Sequence, residues 1–119
     1  MDSDTQEVQR ERRRLVHDLP PIGELLRASL FERAVRCGKA SCHCADPDDP
    51  GHRTTYVGLS LPGGRTSQVS LPQRLVPVAE AWIGNYKRWL EAIERISAFN
   101  HELLRQRGVD ASGRPKRRR

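Results

Sequence analysis

The stretch VRCGKASCHCADPDDPGH, from Val35 to His52, holds all three cysteines of the 119-residue chain and two of its four histidines. Thiolate sulfur and imidazole nitrogen are the donors that tetrahedral zinc favours. Cys37, Cys42, Cys44 and His52 follow the pattern C-x4-C-x-C-x7-H and form a candidate Cys3His set for Zn2+. Such a set closes every position around the ion, which makes the site structural and leaves no place for a substrate. In an extended segment alternate residues point to one side, so Cys42 and Cys44 are expected to face one ion and His43 to face away. His43 is the alternative fourth ligand. Two further readings of the same residues stay open: a thiol-rich turn without metal, and a redox pair of Cys42 with Cys44 or Cys37. A disulfide across C-x-C is strained, and the chain has no C-x2-C of the thioredoxin kind.

Strands have to bring these residues together. LFERAVRC (30–37) reads as a first strand with Phe31, Val35 and Cys37 on one face. TTYVGLSL (54–61) reads as a second, with Val57, Leu59 and Leu61 on one face and Thr54, Tyr56 and Ser60 on the other. PGG at 62–64 is a hairpin turn, and RTSQVSL (65–71) returns with Val69 and Leu71 inward and Thr66, Gln68 and Ser70 outward. The cysteine stretch is then the connection between strands one and two. Its ADPDDPG part is too rich in proline and glycine for regular structure.

A long helix follows. Pro77 suits its first turn, and Ala79, Trp82, Tyr86, Trp89, Ile93, Ile96, Asn100 and Leu103 step by three and four along it. Roughly 30 residues of helix span about 45 Å, more than three short strands can cover. The second half is therefore expected to need a partner, either the N-terminal segment or the same helix of a second chain. Trp89, Ile93, Ile96, Asn100 and Leu103 are the candidate self-association set of a homodimer, with Asn100 as the polar position that fixes register.

The expected fold class is α+β: a three-stranded antiparallel sheet followed by one long C-terminal helix, with a short N-terminal helix over Ile22, Leu25 and Leu26. Residues 1–21 read as a charged segment, partly helical or disordered, 22–106 as the zinc-stapled domain, and 107–119 as a disordered basic tail.

Composition sets the outer bounds. Only 36% of residues are hydrophobic and 30% are charged, so the core must be small, and a metal or a partner subunit is the usual supplement. The net charge of +6 is local. Residues 105–119 hold seven Arg/Lys and one Asp, and the remaining 104 residues carry 14 charges of each sign. Arg114, Lys116, Arg117, Arg118 and Arg119 could neutralise phosphates without sequence preference. No apolar run is long enough to span a membrane, and the N-terminus lacks a secretory h-region. A cytoplasmic, reducing location is expected, consistent with an odd number of cysteines. No G-x-S-x-G, P-loop, H-E-x-x-H or paired-carboxylate motif is present, so no enzyme is expected.

SLFERAVRCGKASCHCA, followed by GH and a later tyrosine, and VPVAEAWIGNYKRWLEAIERISAFNHELL resemble a family of small uncharacterised bacterial proteins with an R-C-G-K-x2-C-x-C-A signature. The resemblance covers residues 24–104. Members carry Gly-Pro-Tyr after the histidine, where this chain has Arg53–Tyr56. They often accompany transposase or mobile-element genes, which implies an accessory role beside a transposase or recombinase. The order of elements is also similar to the arm-binding N-terminal domain of tyrosine recombinases, which lays its sheet in the DNA major groove. That likeness implies Arg33, Tyr56, Thr66 and Gln68 as base-reading candidates and Arg53 and Arg65 as phosphate contacts.

Overall fold

The structure, a computed structural model, describes residues 2–116. Its elements run α1 (Asp2–His17), β1 (Ser29–Val35), β2 (His52–Ser60), β3 (Thr66–Leu71) and α2 (Val76–Arg105). The class is α+β, with a three-stranded antiparallel sheet of order β1-β2-β3. The chain forms two compact units, one of Met1–Gly23 with Lys87–Arg119 and one of Glu24–Tyr86.

The sheet unit contains the cysteine stretch. Val35 pairs with His52 and Phe31 with Tyr56, and on the other side of β2 Tyr56 pairs with Ser70 and Gly58 with Gln68. Side chains alternate across a strand, so Phe31 and Arg33 share a face with Thr54, Tyr56, Gln68 and Ser70. Leu30, Thr55, Val57, Leu59 and Leu71 share the opposite face, where Thr55 is buried. Phe31 thus sits on the polar face of the sheet, away from the strand-two apolar set. Gly63 and Gly64 turn the β2–β3 hairpin with φ of 81° and 77°, the left-handed region where glycine carries no Cβ penalty. Pro77 lies in the first turn of α2, where its missing N–H costs nothing. The chain entering β1 is tied to that part of the helix: Leu26 N–H donates to the Trp82 carbonyl at 3.1 Å and Asn85 Nδ2 to the Glu24 carbonyl at 3.0 Å. Ala79 is buried on the same stretch. The short helix expected over Ile22–Leu26 is only a single 3-10 turn, Ile22–Glu24, with no buried residue.

The second unit is helical. The N-terminal helix lies upstream of the prolines; Val8 and Leu15 are half-buried on it, and polar side chains tie it to α2. Thr5 Oγ1 donates to Gln106 Oε1 at 2.6 Å, and Arg12 Nη1 to Asn100 Oδ1 at 2.6 Å. The buried stripe of α2 here runs through Trp89, Ala92, Ile96, Phe99 and Leu103; Ala92 is 1% and Leu103 0% exposed. A helix of 3.6 residues per turn drifts off a strict heptad, which carries Ile93 and Asn100 out of that stripe. Ile93 is 52% exposed.

Residues 107–116, expected as an unstructured tail, form an ordered turn. Arg107 has φ 56°, Gly108 N–H donates to the Leu103 carbonyl at 2.7 Å, and Arg107 N–H to the Leu104 carbonyl at 3.0 Å. These two bonds are the Schellman end of a helix. Val109 then bridges Pro115, and Lys116 N–H donates to the Gly108 carbonyl at 3.0 Å.

Candidate metal centre

The connection from Val35 to His52 is held by its own backbone. Cys42 N–H donates to the Lys39 carbonyl at 3.1 Å, Ala45 N–H to the Cys42 carbonyl at 3.0 Å and Asp46 N–H to the His43 carbonyl at 3.2 Å. Cys42 is extended and Cys44 lies in a 3-10 turn, His43–Ala45, so the two thiols converge through a turn and not through strand alternation. Gly51, at φ 89°, delivers His52 opposite Val35; a Cβ there would lie 3.1 Å from the Val35 carbonyl oxygen.

The donor atoms of Cys37, Cys42, Cys44 and His52 all lie within 4.8 Å of one another. Cys37 and Cys44 Sγ are 3.4 Å apart, and Cys42 Sγ is 3.1 Å from His52 Nε2. Tetrahedral zinc with bonds of about 2.3 Å to sulfur separates its ligands by about 3.8 Å. The four groups are therefore spaced and chosen as a metal site requires, and the cluster could hold one ion. Cys44 is 1% exposed and Cys37 is exposed. His43 is not part of this group: its Nδ1 meets Asp49 Oδ2 at 3.0 Å, its ring stands edge-on 4.8 Å from that of His52, and its side chain is 63% exposed.

Ligand electrostatics favour thiolate at one position. The Lys39 backbone N–H, followed by hydrogen bonds from Cys44, His52 and Cys42, holds the Cys37 thiol down to about 6. Cys44 moves the other way. The Cys37 backbone N–H draws it down, but burial and the neighbouring Cys37 and Cys42 thiols outweigh that and push it up. The hydrogen bond from His43 lowers the Asp49 carboxyl, helped by the Gly51 N–H.

Arg36 lies outside the Cys/His spacing pattern yet holds the loop together. Its guanidinium donates to the carbonyls of Cys44, of Asp46 at 2.9 Å and of Asp49 at 2.7 Å. It therefore fastens the loop that carries two of the candidate ligands to the end of β1. Its place beside Cys37 in the R-C-G-K run was the available signal.

The sheet-face candidates divide. Arg33, Tyr56, Thr66 and Gln68 are on one face, and Arg65 is exposed beside the hairpin turn. Arg53 belongs to the opposite face and pairs with Glu32 at 2.6 Å, because its neighbour in register is Ala34. Arg114 and Lys116 are exposed in the C-terminal turn, and Arg117, Arg118 and Arg119 lie outside the described residues. The self-association set is largely engaged within the chain. Trp89 Nε1 donates to the Pro20 carbonyl at 2.9 Å, Asn100 accepts from Arg12, Ile96 is half-buried and Leu103 is buried. Ile93 alone of that set is free of such packing.

The profile of a domain of unknown function, DUF6788, matches residues 5–81. The chain belongs to this family. The DUF6788 match takes in all four candidate ligands, Arg36 and the whole sheet, and it stops within the second turn of α2. Neither the curated proteins nor the solved structures contain a significant match to the chain. Among the described residues, no helix is long and apolar enough to cross a membrane.

Proposed function

We propose that this protein is a non-enzymatic, zinc-stapled binder of nucleic acid that serves as an accessory to a transposase or recombinase of a mobile element. Zinc is the ion that three thiols and one imidazole at tetrahedral spacing suit best. With four protein ligands it takes a structural role in a reducing cytoplasm. The observation that carries the nucleic-acid reading is the polar sheet face. There the exposed Arg33 lies 5.1 Å from the ring centre of Phe31 and 5.6 Å from that of Tyr56. Arg33 is the one Arg or Lys among the strand residues of this face, none of them is acidic, and Arg65 is exposed beside the hairpin turn at the end of the sheet. The mobile-element role rests on the family resemblance and on the likeness to recombinase arm-binding domains.

Binding of a labelled oligonucleotide, titrated at several salt concentrations, tests the reading. Affinity should fall linearly in a log–log plot, and replacing Arg65 by Gln should lower the slope by about one. No binding at low salt would remove it.

A second reading is self-association through α2, favoured by the exposure of Leu90, Ile93 and Leu104, at 45%, 52% and 65%. A dimer in sedimentation that Ile93→Asp converts to monomer supports it. A monomeric wild type at high concentration eliminates it.

A further inference from the structure

The nucleic-acid reading leaves open whether the sheet meets a duplex or a single strand, and the aromatic pair on its polar face bears on that choice. Phe31 and Tyr56 are cross-strand neighbours with ring centres 5.7 Å apart and planes within 13° of parallel. Gly58 is what allows this. A Cβ there would lie 3.1 Å from Phe31 Cε1, so the Phe31 ring rests over the backbone of β2 where a side chain would otherwise stand. The rings are half-buried and stacked against each other as a two-ring aromatic tile, and the exposed guanidinium of Arg33 lies over both.

A duplex has little use for such a tile. Its bases are already stacked, and its grooves offer base edges that are read by donors and acceptors on projecting side chains. An unpaired base does expose a π face, and aromatic rings and guanidinium planes are the groups that take it up without regard to sequence. The charges around the tile suit the strand that carries such bases. Arg33 stands on the face and Arg65 is exposed at the hairpin end of the sheet, the face's only His is the candidate ligand His52, and the one nearby strand carboxylate, Glu32, is on the reverse side and paired with Arg53.

We propose that this face binds single-stranded nucleic acid by stacking unpaired bases on Phe31 and Tyr56, with Arg33 as a third planar partner and as a phosphate counter-charge. The proposal rests on the nucleic-acid reading above. Gln68, opposite Gly58, and Ser70, opposite Tyr56, flank the tile and offer hydrogen bonds to base edges.

The test uses the full zinc-loaded chain and labelled oligonucleotides of about 12 nucleotides, a length within the usual site size of such surfaces. The probes are oligo-dT, oligo-rU and a DNA duplex of the same length, followed by fluorescence anisotropy. The two single strands should bind more tightly than the duplex. Phe31→Leu, which keeps an apolar group but no ring, should weaken single-strand binding about tenfold, within a range of about 5- to 150-fold for one lost stack. Duplex binding should not change. Phe31→Tyr should restore single-strand binding, and Arg33→Lys, which keeps the charge and loses the plane, should weaken it while leaving the salt slope intact. Equal losses on duplex and single strand, or no loss on either, overturn the stacking proposal and leave nucleic-acid binding standing. Failure of all three probes to bind at low salt overturns the nucleic-acid reading and the proposal with it. If Phe31→Leu does not fold, Arg33→Lys decides alone: an unchanged single-strand affinity refutes the proposal.

Discussion

Metal removal should unfold the sheet unit. In Glu24–Tyr86 the buried residues are Cys44, Thr55 and Ala79, and one of these is itself a candidate ligand. So thin a core cannot offset the chain entropy of three strands and a 16-residue connection, Arg36 to Gly51, without a further tie. An ion that binds only the folded state stabilises it by about 4 kcal/mol when its free concentration is about a thousandfold above Kd. A domain of this size shifts its Tm by about 4–8 °C per kcal/mol, so the metal should be worth about 15–30 °C. The assay is a thermal melt followed by circular dichroism, with and without a strong chelator, beside Cys44→Ser. Elemental analysis should give about one zinc per chain, lost in the variant. Amide exchange by mass spectrometry should show protection disappearing first from residues 29–71 and persisting in α1 and the end of α2. An apo protein with the same melting temperature and the same exchange pattern would refute the reasoning, because the sheet would then be stable on its side chains alone.

Arg36→Ala removes three hydrogen bonds to loop carbonyls and should weaken metal binding by about 10- to 100-fold, measured by competition with a chromophoric chelator. With Cys37 held at about 6, metal affinity should change little from neutral pH down to about 6 on account of this thiol, and fall more steeply below it as Cys37 takes up a proton. Gly108→Ala would place a Cβ 2.5 Å from Thr5 Cγ2 and should cost about 1–3 kcal/mol, seen as a lowered Tm of the helical unit. Arg105, above all, holds the Glu102 carboxyl at about 2, below its unfolded value, so its stabilising contribution is complete above about pH 5 and is lost as the pH falls toward 2. The Tm difference between wild type and Glu102→Gln should accordingly shrink on acidification, and a constant difference would count against this pairing.

Three strands, their hairpin and the long helix could be read from the chain because each carries a local signal: period-two alternation, a PGG turn, a run of helical apolar spacing. The helix α1 was legible only as a charged segment, partly helical or disordered, and not as a continuous helix. Its inward positions include Thr5, Gln9 and Arg12, whose contribution is hydrogen bonding to Gln106, Gly108 and Asn100, and such contacts leave no apolar periodicity. Ala92 was passed over for a related reason. Its small side chain carries little hydrophobic signal, yet it is almost fully buried. Asn100, read as a register-setting residue between chains, has its side-chain oxygen held by Arg12 of its own chain. At the candidate metal centre, residue type and spacing pick out the four residues whose donor atoms the fold brings within 4.8 Å of one another. What spacing could not supply was the 3-10 turn at Cys44, the contact of His43 with Asp49, and the clasp of Arg36.

A metal held by the cluster would be coupled to the aromatic tile through strand register. His52 opens β2 opposite Val35, and Tyr56 lies on the same strand and the same face, opposite Phe31. A slip of one residue would send every side chain of β2 to the other face, which would replace Tyr56 by Thr55 or Val57 beside Phe31. The apolar set of the opposite face, Leu30, Val57, Leu59 and Leu71, works against such a slip but is only half-buried, and Gly58 weakens the strand's own preference. A metal that joins Cys37, just beyond β1, to His52, the first residue of β2, fixes the register at the point where the strands begin to pair. Chelation should then abolish single-strand binding although no ligand touches the tile, and re-addition of zinc should restore it. The Cys44→Ser variant should behave as the chelated wild type does, whereas Arg33→Lys should bind zinc normally. Single-strand affinity that survives chelation unchanged would uncouple the two sites and return the register to the hairpin and side chains alone.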